Sequence, residues 1–233
     1  MAKLRVAAVQ LRSGLEPAVN RAQALPLLRE AAAAGARLIA TPEMTLRLDR
    51  DRARMLAAAG PEAGDPELPA WARIAQELGV WLLLGSAPIA TGAEKIFNRS
   101  FFYNPDGKVV ARYDKINLFD VILGGGETYH ESDTVEAGAR AVLAEGPMGV
   151  KIGLTICYDV RFPKLYRALG QAGADIIAVP AAFTVPTGQA HWEVLLRARA
   201  IENGAFVLAP AQGGRHQDGR TTYGHSMIID PWG

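Results

Sequence analysis

The chain has 233 residues, 49% of them hydrophobic, which is enough apolar material for one large α/β unit with a sizeable core. Twenty-five lysines and arginines face 24 acids, for a net charge of +1, so the basic excess of a nucleic-acid binder is missing. One cysteine excludes an intramolecular disulfide and favours a reducing, cytoplasmic setting, and the longest apolar runs are too short to span a bilayer.

In chain order, Leu4–Gln10 reads as a short buried strand, not as the apolar region of a signal peptide. Pro17–Ala34 is Ala/Leu-rich and predicts a helix stopped by Gly35. Arg37–Ala40 predicts a strand ending at Thr41-Pro42-Glu43. Helices are expected over Asp49–Ala59 and Pro69–Leu78, and a strand over Trp81–Ser86. Phe97–Asn104 and Lys108–Tyr113 flank Pro105-Asp106-Gly107, a hairpin signature. Asp114–Gly138 is glycine-rich and aperiodic, a length of loop that is usually functional. Ala141–Glu145 and Lys151–Ile156 read as paired strands. Phe162–Ala172 and Gln189–Asn203 read as helices, and Asp175–Val179, Ala205–Ala209 and Thr222–Ile229 as strands. Strands alternating with helices at both ends predict an α/β fold in one domain.

The stretch LLREAAAAGARLIATP (Leu27–Pro42) aligns without gaps on LYRALGQAGADIIAVP (Leu165–Pro180), with eight of sixteen positions identical. If the repeat is structural, the fold has two similar halves with different chemistry at their strand ends: Glu43 follows the first proline and Ala181 the second. The chain closes on Asp230-Pro231-Trp232-Gly233, a turn after a strand with no returning partner. The expectation is that the sequence lacks a final strand or that another subunit covers that edge.

Cys157 sits in IGLTICYDVRFP, where an apolar strand meets a helix start. A lone cysteine is ordinarily a small buried hydrophobe. A sharp strand-to-helix turn, however, exposes a nucleophile at a sheet edge, beside N–H groups that can bind an oxyanion. A thiol is a few per cent ionised at neutral pH and needs a base or cation nearby. His130, His191, His216 and His225 give neither a papain-like pattern nor metal-ligand spacing, and no metal or organic cofactor is expected. Glu43 in TPEMT and Lys115 in RYDKINLFD are weak signals singly.

Taken together, TPEMT, RYDKINLFD and GLTICYDVRFP, in this order, resemble the nitrilase or carbon–nitrogen hydrolase superfamily. FNRSFFYNPDGKVV, VPTGQAHWEVLLRARAIEN and GGRHQDGRTTYGHSMIIDPWG extend the resemblance over almost the whole chain. It implies a four-layer α-β-β-α sandwich with pseudo-two-fold halves, a homodimer, and a Glu-Lys-Cys triad carried by Glu43, Lys115 and Cys157. It also implies oxyanion binding by the Tyr158 backbone N–H and a second glutamate beside the lysine. Glu131-Ser132 matches that glutamate's position better than Glu127. Tyr-Asp after the cysteine is similar to the amidase branch. Within it, AHWEVLLRARAIE, GGRH and YGHS are most similar to amidases of deaminated glutathione, with omega-amidases and N-carbamoyl amidohydrolases as alternatives. The implied substrate is a small amide bearing carboxylates, so a cationic pocket is expected. Arg161 is a candidate, or else a buried structural ion pair. Thr184 and Thr187 either bind substrate or cap the helix expected near Gln189. Lys164 departs from the family's usual residue, and Gly124-Gly125-Gly126 implies a flexible loop. The family's usual C-terminal strand and tail are missing from the sequence, which leaves a non-catalytic scaffold as a further alternative.

Overall fold

Each half of the molecule is built on three parallel strands with helical crossovers. The computed structural model describes residues 3–123 and 126–233. The first half runs β1 (Val6–Ala8), α1 (Pro17–Ala33), β2 (Leu38–Ala40), α2 (Arg52–Ala58), α3 (Leu68–Leu78), β3 (Trp81–Ala90), β4 (Ile96–Tyr103) and β5 (Val109–Asp114). These strands form one sheet in the order β1-β2-β3-β4-β5, parallel through β3 and antiparallel beyond. A short hairpin, β6 (Asp120–Ile122) and β7 (Thr128–His130), links the halves. The second half runs β8 (Val142–Glu145), β9 (Lys151–Leu154), α4 (Pro163–Gln171), β10 (Ile176–Ala178), α5 (Val185–Thr187), α6 (Glu193–Asn203), β11 (Phe206–Ala209), β12 (Gly213–Arg215), β13 (Thr221–Tyr223) and β14 (Met227–Ile229). Its sheet has the order β14-β11-β10-β9-β8, with β9, β10 and β11 parallel.

Side-chain alternation along β2 defines the layers. Leu38 and Ala40 point into a core shared with Ile152, Leu154 and Ala178 of the other sheet. Ile39 points the opposite way, into a second core with Leu28 of α1 and Trp71 of α3. On the far side, α6 covers the second sheet through Leu196 and Ala200. Two sheets packed face to face with helices outside give the expected α-β-β-α sandwich.

The repeat is structural. Gly35 and Gly173 both take the left-handed conformation, with φ of 88° and 89°. The residue after each bonds back into its helix in the same way: Ala36 N–H to Ala31 C=O at 3.0 Å, Ala174 N–H to Leu169 C=O at 3.1 Å. A side chain at that φ is strained, so glycine is the stop in both copies.

Four expected elements differ. The strand at Trp81 runs on to Ala90 past Pro88: its pairing with β2 ends at Leu83, its register on β4 shifts between Leu84 and Ala87, and Pro88, which has no N–H to give, stands beyond the β2 ladder. The aperiodic Asp114–Gly138 segment holds the β6–β7 hairpin, whose three-residue strands are too short to show a period; Gly124 and Gly125 lie outside the described residues. Thr222–Ile229 is two strands, broken where Gly224 and His225 take positive φ. The helix expected from Gln189 begins at Val185 and passes through a π-helical turn, Gly188–Trp192. Among the described residues, no helix is long and apolar enough to cross a membrane.

Candidate active site

Glu43, Lys115 and Cys157 come from three strand ends and meet in one place. Glu43 lies three residues past β2, Cys157 three past β9, and Lys115 directly follows β5. The Glu43 loop is pinned on both sides. Met44 N–H donates to Ser86 Oγ at 2.7 Å, Thr45 Oγ1 donates to Pro42 C=O at 2.7 Å, and Gln212 Nε2 donates to Glu43 C=O at 3.0 Å. Gly85 lets this loop lie against β3: a Cβ there would stand 2.1 Å from the carbonyl oxygens of Thr41 and Pro42.

Cys157 has φ of 50°, a left-handed conformation that costs an L-residue roughly 1–2 kcal/mol. The turn is held by Cys157 N–H to Pro180 C=O at 2.8 Å and Asp159 N–H to Ile156 C=O at 3.0 Å. This is the strand–turn–helix elbow expected from IGLTICYDVRFP. Lys115 is 2% exposed, and its Nζ donates to Glu43 Oε1 at 3.0 Å and to Glu131 Oε1 and Oε2 at 3.0 and 2.8 Å. Glu131 also accepts Phe119 N–H at 2.6 Å, which fixes the carboxylate against the β6–β7 hairpin. Asn98 Nδ2 donates to Glu43 Oε1 at 2.8 Å, while its buried Oδ1 has no partner among the described residues.

Burial acts against every charge here, and the neighbours decide the outcome. It pushes the Glu43 carboxyl up, but the Lys115 ammonium, with hydrogen bonds from Cys157, Lys115 and Asn98, holds it below the usual carboxylate range. Burial pushes the Cys157 thiol well up, and the Glu43 charge adds to this against the opposing pull of Lys115. Burial favours a neutral Lys115, but the charges of Glu131 and Glu43 outweigh it and raise its pKa well above the ordinary value. The resting arrangement is therefore an ionised carboxylate beside a protonated thiol, with a fixed cation next to both. Such a set can take up a thiol proton and stabilise a nearby oxyanion. It forms the floor of a cleft of about 830 Å³.

Residues 5–233 match the carbon-nitrogen hydrolase family model. The chain belongs to the carbon–nitrogen hydrolase family. It is similar to the deaminated glutathione amidase of Synechocystis sp., with 43% identity over 97% of this chain and 84% of that protein. Among solved structures it is similar to the C. elegans NitFhit protein (TM-score 0.89, 35% identity, 100% of this chain and 57% of that one). It also resembles a mutant of the amidase from Nesterenkonia sp. AN1, whose structure shows Michael addition of acrylamide at the active site cysteine (TM-score 0.83, 25% identity, 99% of this chain and 86% of that one).

This carbon–nitrogen hydrolase brings most of the expected residues to one cleft. Glu43, Lys115, Glu131 and Cys157 line it, together with Tyr158, Thr184 and Thr187. Glu127 also lines it but makes no bond to Lys115; its carboxylate accepts from Tyr129 Oη at 3.4 Å. The threonine hydroxyls bond each other at 2.7 Å, and Thr184 Oγ1 accepts Thr187 N–H at 3.4 Å, so Thr184 caps the helix start at Val185. Arg161 is a correction. It is exposed and outside the cleft lining, because the 3₁₀ turn from Cys157 has risen roughly 8 Å before reaching it. Nor is it a buried ion pair. The buried arginine at the elbow is Arg199, whose Nε donates to Val160 C=O at 2.9 Å and whose Nη1 donates to Glu202 at 2.7 Å. The cations that do line the cleft are Lys115, Arg50, Arg52 and Arg220. Asn98 went unnoticed in the sequence, although a polar residue at a fully buried position of an apolar strand is a usable signal.

Proposed function

We propose that this hydrolase is a thiol amidase of the deaminated-glutathione type, using Glu43 as base, Cys157 as nucleophile and Lys115 as oxyanion partner. The Glu43 carboxylate takes the thiol proton as sulfur attacks the amide carbon, and the carbonyl π pair moves onto oxygen. Lys115 and the Tyr158 N–H stabilise that oxyanion. When the oxyanion collapses, the C–N bond breaks and Glu43 returns its proton to the leaving nitrogen, leaving a thioester on Cys157. Glu43 then takes a proton from water. The hydroxide adds to the thioester, the C–S bond breaks, and the proton returns to sulfur. Glu131 holds Lys115 in position and keeps it charged.

The observation that carries this reading is the ionised Glu43 lying against the protonated Cys157, with Lys115 3.0 Å from the same carboxylate. The substrate class rests on the likeness to deaminated glutathione amidases and on Arg50, Arg52 and Arg220, which replace Arg161 as candidate partners for substrate carboxylates. The same reading takes residues 1–233 as one domain and the protein as a cytoplasmic homodimer. The test is a release assay over deaminated glutathione, 2-oxoglutaramate and N-carbamoyl amino acids, run with wild type and Cys157→Ala. Turnover of deaminated glutathione by the wild type alone is expected. Equal turnover by Cys157→Ala would sink the mechanism, and preference for either other substrate would sink the assignment.

A further inference from the structure

Cys157 and Lys115 follow strands of different sheets, and one buried carboxylate outside the proposed triad ties their two segments together. Asp159 is fully buried, and each of its oxygens accepts two hydrogen bonds. Oδ2 accepts Ile156 N–H at 2.9 Å and Tyr113 Oη–H at 2.6 Å. Oδ1 accepts Asn117 N–H at 2.9 Å and Asn117 Nδ2–H at 2.8 Å. Ile156 directly precedes the cysteine, and Tyr113 and Asn117 stand two residues either side of Lys115. Four donors fill the four lone-pair directions of an ionised carboxylate.

From this we infer that Asp159 is a positioning residue, setting the separation of the Cys157 sulfur and the Lys115 ammonium. The inference rests on the proposed Glu43–Lys115–Cys157 mechanism. Burial pushes the Asp159 carboxyl up, against the hydrogen bonds that pull it down, and its net pKa is raised; the hydrogen bonds from both segments are what keep a charge tolerable there. An amide in its place cannot serve. Whichever way it is turned, its NH2 meets a backbone N–H, that of Ile156 or of Asn117, which cannot accept. One segment is then released. No feature of Asp159 reaches the cleft: it is absent from the residues that line it, so its action is through the two segments it joins.

The test is Asp159→Asn with deaminated glutathione as the probe substrate, beside Tyr113→Phe and Asn117→Ala. A displacement near 1 Å lowers turnover about a hundredfold, so kcat should fall by that order while KM stays within about threefold. Cys157 is the only thiol in the chain, so its iodoacetamide alkylation is a second, turnover-free readout. Its pH profile should move to higher pH in Asp159→Asn, as Lys115 is freed from its place beside the sulfur. Tyr113→Phe and Asn117→Ala each remove one of the three hydrogen bonds from the Lys115 segment, Asn117→Ala keeping the backbone N–H, and should show smaller losses of the same kind; they decide the matter if Asp159→Asn does not fold. A folded Asp159→Asn with wild-type kcat and alkylation profile would overturn the inference. So would Tyr113→Phe and Asn117→Ala both leaving kcat and profile unmoved. An inactive Cys157→Ala alongside a fully active Asp159→Asn fails the positioning role alone. Turnover by Cys157→Ala fails the mechanism beneath it.

Discussion

At Pro42 and Pro180 the two halves of the molecule reach the same point by the same route. Thr41 N–H bonds Leu83 C=O at 2.9 Å, and its counterpart Val179 N–H bonds Leu208 C=O at 2.9 Å. One residue past the proline the halves part: Glu43 in the first, buried Ala181 in the second. The register of β1 on β2 and of β9 on β10 sets Val6 opposite Leu38 and Ile152 opposite Ile176, so Leu11 is the counterpart of Cys157. At these equivalent strand ends the proposed chemistry thus uses one polar member from each half, Glu43 and Cys157, with Lys115 added from the end of β5, and the mirror pair, Leu11 and Ala181, is apolar. That mirror position is closed by the chain after β11, through Gln212 N–H to Ala181 C=O at 2.8 Å and Gly213 N–H to Leu11 C=O at 2.9 Å. Gln212 then turns its side chain towards the open site and holds the Glu43 carbonyl. A repeated scaffold provides two equivalent strand-end positions. Side chains and a following segment make one a cleft and fill the other.

The largest effects should come from exchanging the chemistry between halves. Glu43→Ala makes the first strand end like the second, and kcat should fall about a thousandfold, the order that general-base loss costs. The fold should survive, because Lys115 keeps Glu131; circular dichroism and steady-state rates check both. Ala181→Glu is the reverse exchange. It buries a carboxylate among apolar neighbours, and urea unfolding should show a loss of about 3–5 kcal/mol. A well-tolerated Ala181→Glu would break the comparison.

Glycine substitutions should separate the halves more gently. Gly85→Ala drives a Cβ into two carbonyl oxygens of the strand end that leads to Glu43 and should cost about 1–3 kcal/mol together with turnover. Gly153→Ala in β9 has its nearest contacts with the Leu169 side chain, at 3.0–3.3 Å, which can shift; a loss of about 1 kcal/mol, the low end of overpacking, is expected from thermal unfolding.

The smallest effects are in pH dependence. Glu43 has a folded pKa below its unfolded value of about 4.3, so its contribution to stability is present above that pH and lost as pH falls through the folded value. Lys115 has a folded pKa above its unfolded value of about 10.4, so its contribution holds below that pH and is lost as pH rises through the folded value. The acid limb of kcat/KM should therefore lie below the ordinary glutamate range. An acid limb near about pH 6, well above the ordinary glutamate value, would contradict an ionised Glu43 at rest.

Much of this was legible in the sequence, for physical reasons. Glycine stops and apolar strands act locally, so the helix–Gly-Ala–strand unit could be seen twice, and Pro105-Asp106-Gly107 marked its hairpin. Glu43, Lys115 and Cys157 were individually weak, and only the resemblance of three motifs joined them, since their meeting depends on two sheets packing. Asn98 carries no sign of its partner inside FNRSFFYNPDGKVV, and Asp159 marks only the amidase branch, because their partners are far away in the chain: Glu43 is 55 residues from Asn98 and Tyr113 is 46 from Asp159. Arg161 was misplaced for the same reason. Sequence proximity to the cysteine says nothing about the direction a tight turn takes.

The most direct measurement is acid-quenched turnover of deaminated glutathione followed by peptide mass spectrometry. The expected result is an acyl thioester on Cys157 in the wild type, at a level that rises and decays with turnover, with neither adduct nor turnover in Cys157→Ala. An adduct on another residue, or full turnover by Cys157→Ala, would contradict the account.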